Sequence, residues 1–182
     1  MTTEPEAPPD KAAKARAKYP CQARLGCRLV GARVWDGAAY ADYDKAWGCG
    51  LRDERALARG LGAFFRGAGA HRARRALLAE FRGRLADLLA WFERHEGLVF
   101  ISSSLLFVYD GAPPRGARAD APPGPAAAAR PPRAVLKMID FAHVRHDGAR
   151  DAGYVVGLRR VISLFDALLD EVDDGDDAAR GR

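Results

Sequence analysis

LVFISSSLLFVY (Leu98–Tyr109) and AVLKMID (Ala134–Asp140) decide how this chain folds. Both stretches are rich in β-branched, aromatic and aliphatic residues, and both predict buried strands. Each breaks the packing rules at one point. Ser102, Ser103 and Ser104 put three hydroxyls in a row inside an apolar strand. Asp140 puts a carboxylate directly after one. A buried hydroxyl without a partner costs free energy, and a buried carboxylate costs more. Something polar or cationic is therefore expected where these segments end. A hard cation such as Mg²⁺ suits a lone carboxylate, because Mg²⁺ keeps waters and takes further oxygens from phosphates. A turn or capping role for Asp140 is the competing reading.

Working outward, residues 111–133 read as a flexible low-complexity insert of Pro, Ala, Gly and Arg, unable to bury a core. Upstream, Leu77, Leu78, Phe81, Leu85, Leu88, Leu89 and Phe92 recur at helical spacing and predict a long helix over about residues 72–95. A shorter helix begins at Asp53, with Leu57, Leu61, Phe64 and Phe65 on one face. Asp36-Gly37 predicts a hairpin between a strand ending at Trp35 and a return strand over Tyr40 to Lys45, broken at Gly48 to Gly50. Near Asp151 a last helix starts, and the acidic run beyond it predicts a frayed tail over 173–182. Residues 1–9 predict disorder. Lys11, Lys14 and Lys18 follow at helical spacing and would make one face positive. A few antiparallel strands with three or four helices give an α+β class, one domain over residues 10–172.

The formal charge is +5, with Asp170, Glu171, Asp173, Asp174, Asp176 and Asp177 crowded at one end, so the remaining body is more basic still. A basic body attracts phosphorylated small molecules, nucleic acid or anionic lipid. No zinc-finger spacing or aromatic–basic RNA motif favours nucleic acid. No apolar run reaches the ~20 residues of a membrane span, and the start lacks a signal core. Cys21, Cys27 and Cys49 lack CxxC spacing and read as free thiols of a reducing compartment, cytoplasmic or nuclear.

A strand followed by Asp and Phe is how protein kinases hold Mg·ATP. Here Ser103-Ser104-Leu105-Leu106, then Ile139-Asp140-Phe141, then Gly153-Tyr154 with Gly157-Leu158, stand in that order. In this combination the chain resembles the inositol polyphosphate kinase family over about residues 10–170, as a C-terminal lobe. Ala142-His143, Lys18-Tyr19-Pro20 and Trp91-Phe92-Glu93 lean toward its multikinase branch. The resemblance implies that Asp140 coordinates the Mg²⁺ bridging ATP phosphates, and that His143 faces the inositol phosphate. It implies that Ser103 and Ser104 form an active-site wall that satisfies polar groups near Asp140. By the same resemblance, Lys11, Lys14 and Lys18 fall in the segment that carries basic substrate contacts in the family. Lys45 aligns with a phosphate-facing lysine in some members; a hairpin surface lysine is its other reading.

One family motif, PxxxDxKxG, is absent, since no Asp-x-Lys-x-Gly occurs in these residues. Phosphoryl transfer depends on positioning and on cations around the γ-phosphate. The expectation is therefore a fragment of an ATP-dependent inositol polyphosphate kinase, monomeric and inactive alone. The alternative is a non-catalytic inositol phosphate- or protein-binding module of the same descent.

Overall fold

The computed structural model describes residues 22–36, 38–69, 71–110, 133–146 and 148–180, together with Ala13, Ala17 and Tyr19. A short helix, α1 (Gln22–Leu25), leads into strands β1 (Ala32–Trp35) and β2 (Tyr40–Tyr43). These pair antiparallel from Ala32↔Tyr43 to Trp35↔Tyr40, as the Asp36-Gly37 signal predicts. Asp36 closes the turn, its Oδ1 accepting from the backbone N–H of both Ala38 and Ala39 at 2.8 Å. Helices α2 (Lys45–Gly50) and α3 (Glu54–Phe64) follow, and a 3-10 turn (Phe65–Ala68) leads to α4 (His71–Arg94). Strands β3 (Val99–Phe100), β4 (Ser104–Tyr109), β5 (Ala134–Ile139) and β6 (Val144–Arg145) precede the final helix α5 (Ala152–Arg180). Among the described residues the strands form three two-stranded antiparallel sheets, β1-β2, β3-β6 and β4-β5.

Two aspartates start helices through their side chains. Asp53 Oδ1 accepts from Ala56 N at 2.7 Å and caps α3. Asp44 Oδ1 accepts from Trp47 N at 2.9 Å and caps α2. The second cap corrects a sequence expectation: Gly48 to Gly50 does not break the chain but lies within α2. Gly48 suits that place because a Cβ there would meet the Leu29 carbonyl oxygen at 2.2 Å. The helix can approach the preceding segment only because no side chain intervenes.

The core lies between α4, α5 and the inner face of β4-β5. Leu77, Leu78, Phe81 and Leu85 of α4 and Phe165 of α5 are fully buried. Phe107 stacks on Phe165 at 5.8 Å between centroids, and Phe65 meets Phe165 edge-on at 5.7 Å. Each such ring contributes about 1.5–3 kcal/mol through burial. The pairing Arg75–Asp173, Arg82–Asp166, Glu93–Arg159 runs down the outside of α4 and α5 and fixes them as antiparallel neighbours. Exposed pairs of this kind add register more than stability.

The final helix continues past 173, where the sequence suggests a frayed tail. Helix α5 continues to Arg180, Val172 is buried against the core, and His71 Nε2 lies 2.7 Å from the Val172 carbonyl oxygen. Packing against α4 holds a turn whose charge alone suggested solvent. The calls on residues 1–9, on Lys11, Lys14 and Lys18, and on most of the 111–133 insert lie outside the described residues.

Candidate functional site

The segment predicted as one serine-interrupted strand is two strands with a kink between them. β3 pairs with β6 (Val99↔Arg145, Phe100↔Val144), while β4 pairs with β5 (Ser104↔Ile139 onward). Between the two ladders residues 101–103 face residues 140–143, so one strand carries one residue more than its partner. That mismatch is a bulge, and it bends the ribbon. The backbone records the bend on both sides. Ser102 has φ 60° and Asp140 has φ 65°, and among the described residues they are the non-glycine positions with positive φ. Such a conformation costs about 1–3 kcal/mol per residue, although aspartate tolerates it better than most. Ile101 N, donating to the His143 carbonyl oxygen at 2.9 Å, spans the kink and holds it shut.

Asp140 is exposed at the apex of this turn. No described residue gives it a hydrogen bond or an ion pair, so its carboxylate is free to accept ligands. His143 is also exposed, three positions on, and its backbone rather than its ring closes the kink. Phe141 does not reach the core. It is 52% exposed and touches Phe100 edge-on at 5.9 Å.

Ser103 and Ser104 do stand beside Asp140, because Ser104 pairs with Ile139. The wall they form is not the expected one. Neither serine hydrogen-bonds Asp140. Ser103 is 1% exposed, and its hydroxyl approaches the Tyr154 phenol without hydrogen-bond geometry, leaving both oxygens buried and unpartnered. Burial pushes the Tyr154 phenol pKa up, with proximity to Ser103 opposing. Lys45 is the clearest relocation. It is the exposed first residue of α2, after the Asp44 cap, rather than the end of a strand.

Two features of the site were not read from the sequence. The first is an exposed apolar face. Leu106 and Val108 of β4, with Val135 and Ile139 of β5, are each about two-fifths or more exposed on the outer side of the ribbon, adjoining Asp140. Alternation in LLFVY and AVLKMI carried that signal, since every second residue must face outward. The second is Asp151. It is 2% exposed, and its Oδ2 accepts from Phe100 N at 2.7 Å while its Oδ1 accepts from Tyr154 N at 2.9 Å. One buried carboxylate thus caps α5 and pins β3 to it, which fixes the strand leading into the kink. Capping chemistry before a helix was its only trace in the sequence.

Among the described residues no three His, Cys, Asp or Glu side chains converge as a metal cage. Asp140 alone still fits Mg²⁺ of the kind held by one or two carboxylates with phosphates and water completing the shell. No described helix is long and apolar enough to cross a membrane.

The fold and the turn define a class: an α+β lobe that offers one unpartnered carboxylate at a strained strand end beside an apolar face. The profile of the inositol polyphosphate kinase family matches residues 1–166. Inositol hexakisphosphate kinase 1 of Mus musculus is 31% identical over 207 aligned residues, covering 91% of this chain and 46% of that protein. Inositol polyphosphate multikinase of Mus musculus is 33% identical over 110 residues, 59% of this chain and 27% of its own length. In structure, the inositol phosphate multikinase of S. cerevisiae, solved in complex with ADP and Mn²⁺, superposes with a TM-score of 0.70 at 18% identity, over 91% of this chain and 73% of that one. The chain belongs to the inositol polyphosphate kinase family. It spans about half the length of the hexakisphosphate kinase it matches.

Proposed function

We propose that this chain is the C-terminal part of an inositol polyphosphate kinase of the multikinase branch, transferring a phosphoryl group from Mg·ATP to a hydroxyl of an inositol phosphate. The observation that carries this reading is Asp140: a free, exposed carboxylate held at φ 65° by a bulged ribbon. Strain that the surrounding ladders maintain on both sides points to a use for the residue it presents.

The roles follow from position. Asp140 holds the divalent ion, which neutralises charge on the nucleotide phosphates when bound. The exposed strip of Leu106, Val108, Val135 and Ile139 offers a planar, water-excluding surface against which a nucleotide base can lie. His143, exposed three positions after Asp140, is the residue whose ring nitrogens would donate to an inositol phosphate oxygen in this reading. Lys11, Lys14, Lys18 and Lys45 supply further positive charge to the substrate in this reading. The 182 residues contain no Asp-x-Lys-x-Gly, so the group that meets the reacting hydroxyl is assigned to polypeptide upstream, and the chain alone binds without transferring. A cytoplasmic or nuclear monomer accommodates this substrate.

The test is turnover of ATP with inositol polyphosphates by a polypeptide that includes the upstream part, with and without Asp140→Asn. A loss of at least about 100-fold in kcat with an unchanged melting curve is expected, because a metal-held phosphate is stabilised most in the transition state. Full activity in the variant would remove Asp140 from the reaction.

A further inference from the structure

The arginines of this chain divide by where they stand. On α4 and α5, Arg75, Arg82, Arg84, Arg159 and Arg160 each meet a carboxylate within ion-pair distance. Arg55 and Arg59 of α3, Arg66 of the 3-10 turn and Arg74 of α4 have no such partner among the described residues. Helical spacing sets these four on one line. Arg55, Arg59 and Gly62 follow at i, i+4 and i+7, and Arg66 at i+11 continues the same face. Arg74 joins the line from α4, its Nη2 lying 3.7 Å from where a Cβ on Gly62 would stand. The glycine between Arg59 and Arg66 therefore leaves room for another guanidinium. Arg55, Arg59 and Arg66 are exposed, and Arg74 is half-buried. The row is about 16 Å long at 1.5 Å per helical residue.

Folding alone does not favour such a row. Like charges at i, i+4 destabilise a helix. The Arg74 Nε is buried without a hydrogen-bond partner, which costs more. Behind the row, Leu57, Leu61 and Phe65 are buried, so the core holds the arginines in place. None of the exposed large hydrophobic side chains lies on α3, the 3-10 turn or the first turn of α4. This face therefore has nothing to insert into a bilayer and no apolar centre for a protein interface. It offers a succession of planar guanidinium forks, the shape that matches phosphate oxygens. It is also remote from Asp140. The end of α3 meets the Tyr109 end of the β4-β5 ribbon, where the Tyr109 hydroxyl donates to the Phe64 carbonyl oxygen. Asp140 follows the opposite end of that ladder, about 17 Å away along the strands.

We propose that Arg55, Arg59, Arg66 and Arg74 form a second binding surface, one that holds the phosphate backbone of nucleic acid without reading its bases. Cations strung along one helix are the electrostatic footprint of such a surface. A compact anion calls for groups that converge on one point, whereas phosphates repeating along a strand match a row. Backbone contacts supply affinity and register but carry no sequence information, so the surface needs no base-reading motif. It does not depend on the kinase reading, since neither Asp140 nor the strip beside it takes part.

The test is fluorescence anisotropy of a labelled DNA duplex titrated with the 182-residue chain over a range of KCl. Neutralising four phosphates should give log Kobs against log[KCl] a slope of about −3.6, at about 0.9 per contact. Arg59→Gln with Arg66→Gln should reduce that slope by about half and weaken binding at least about 10-fold at about 50 mM KCl. Arg82→Gln with Arg84→Gln removes the same formal charge from paired positions and should leave the slope unchanged. Thermal melting checks that both double variants fold. Arg55→Gln alone, a single exposed substitution, should reduce the slope by about 0.9. Equal weakening by the two double variants would reduce the binding to net charge and overturn the proposal. A slope that Arg55→Gln and the Arg59, Arg66 pair leave unchanged, or no binding at about 20 mM KCl, would do the same. Phosphatidylserine vesicles and polyglutamate are the competing probes. Tighter binding of either than of the duplex, lost in the Arg59, Arg66 double variant, would assign the row to a membrane or an acidic protein instead.

Discussion

The two ends of the β4-β5 ribbon follow opposite rules. At the Tyr109 end the Tyr109 hydroxyl donates to the Phe64 carbonyl oxygen at 2.6 Å, and its ring stacks on Phe65 at 5.7 Å. Burial pushes its phenol pKa up to about 12, so it stays a neutral donor at any working pH. At the Asp140 end two residues sit at positive φ and a carboxylate has no partner among the described residues. The same two strands make both ends, so composition does not separate them. One end is satisfied architecture; under the proposed function, the other is the end that a ligand completes. Local conflict with packing rules marks functional sites in this way.

Breaking the satisfied side should have the largest effect on stability. Phe81→Ala removes a fully buried ring that meets Phe107 at 5.3 Å and Phe165 at 6.2 Å. A loss of about 3–5 kcal/mol is expected in urea unfolding. A loss under about 1 kcal/mol would mean that the aromatic cluster is not the core.

Asp151→Asn comes next. The amide can accept only one of the two N–H bonds now taken from Phe100 and Tyr154, and it turns a donor toward the other. A cost of about 1–3 kcal/mol follows from the unsatisfied buried group. Amide exchange at Phe100 should rise more than in α4. Equal rises in both would make Asp151 a general stability residue rather than the pin on β3.

Asp140→Gly sharpens the contrast most economically. Glycine enters positive φ freely, at an entropic cost of similar size to the strain it relieves. Stability should stay within about 1 kcal/mol of the parent. A large destabilisation would show that the Asp140 carboxylate has a structural partner after all.

The smallest effect belongs to the Arg75–Asp173 pair on the surface. The guanidinium lowers the Asp173 pKa below the ordinary carboxylate range, chiefly through their hydrogen bond. A depressed folded-state pKa contributes stability above the unfolded value and loses it as pH falls through the folded one. Asp173→Asn should therefore lower Tm slightly at neutral pH and not at all below the folded pKa of Asp173, a difference near the limit of scanning calorimetry.

Most of the fold was legible because its signals are periodic. The Leu77 to Phe92 stripe gave α4 to within a residue at each end, and Asp36-Gly37 gave the β1-β2 turn. What escaped was set by contacts between distant segments. Helix α2 forms where glycines suggested a break because Gly48 packs on the Leu29 carbonyl. Helix α5 enters its acidic run with Val172 buried and Arg75 paired to Asp173. At the site, SSLL and IDF announced the two segments, and the structure pairs them side by side. The bulge between them depends on the registers of two separate ladders, which neither segment contains alone. The apolar strip was written in strand alternation, but which face lies open depends on α4 covering the other.

The most direct test of the account is paramagnetic broadening of amide signals in the 182-residue chain on titration with Mn²⁺ and ADP. The account predicts broadening centred on residues 139–143, lost in Asp140→Asn while the remaining spectrum is unchanged. Broadening that survives Asp140→Asn, that centres on the acidic end of α5 instead, or that never appears would contradict it.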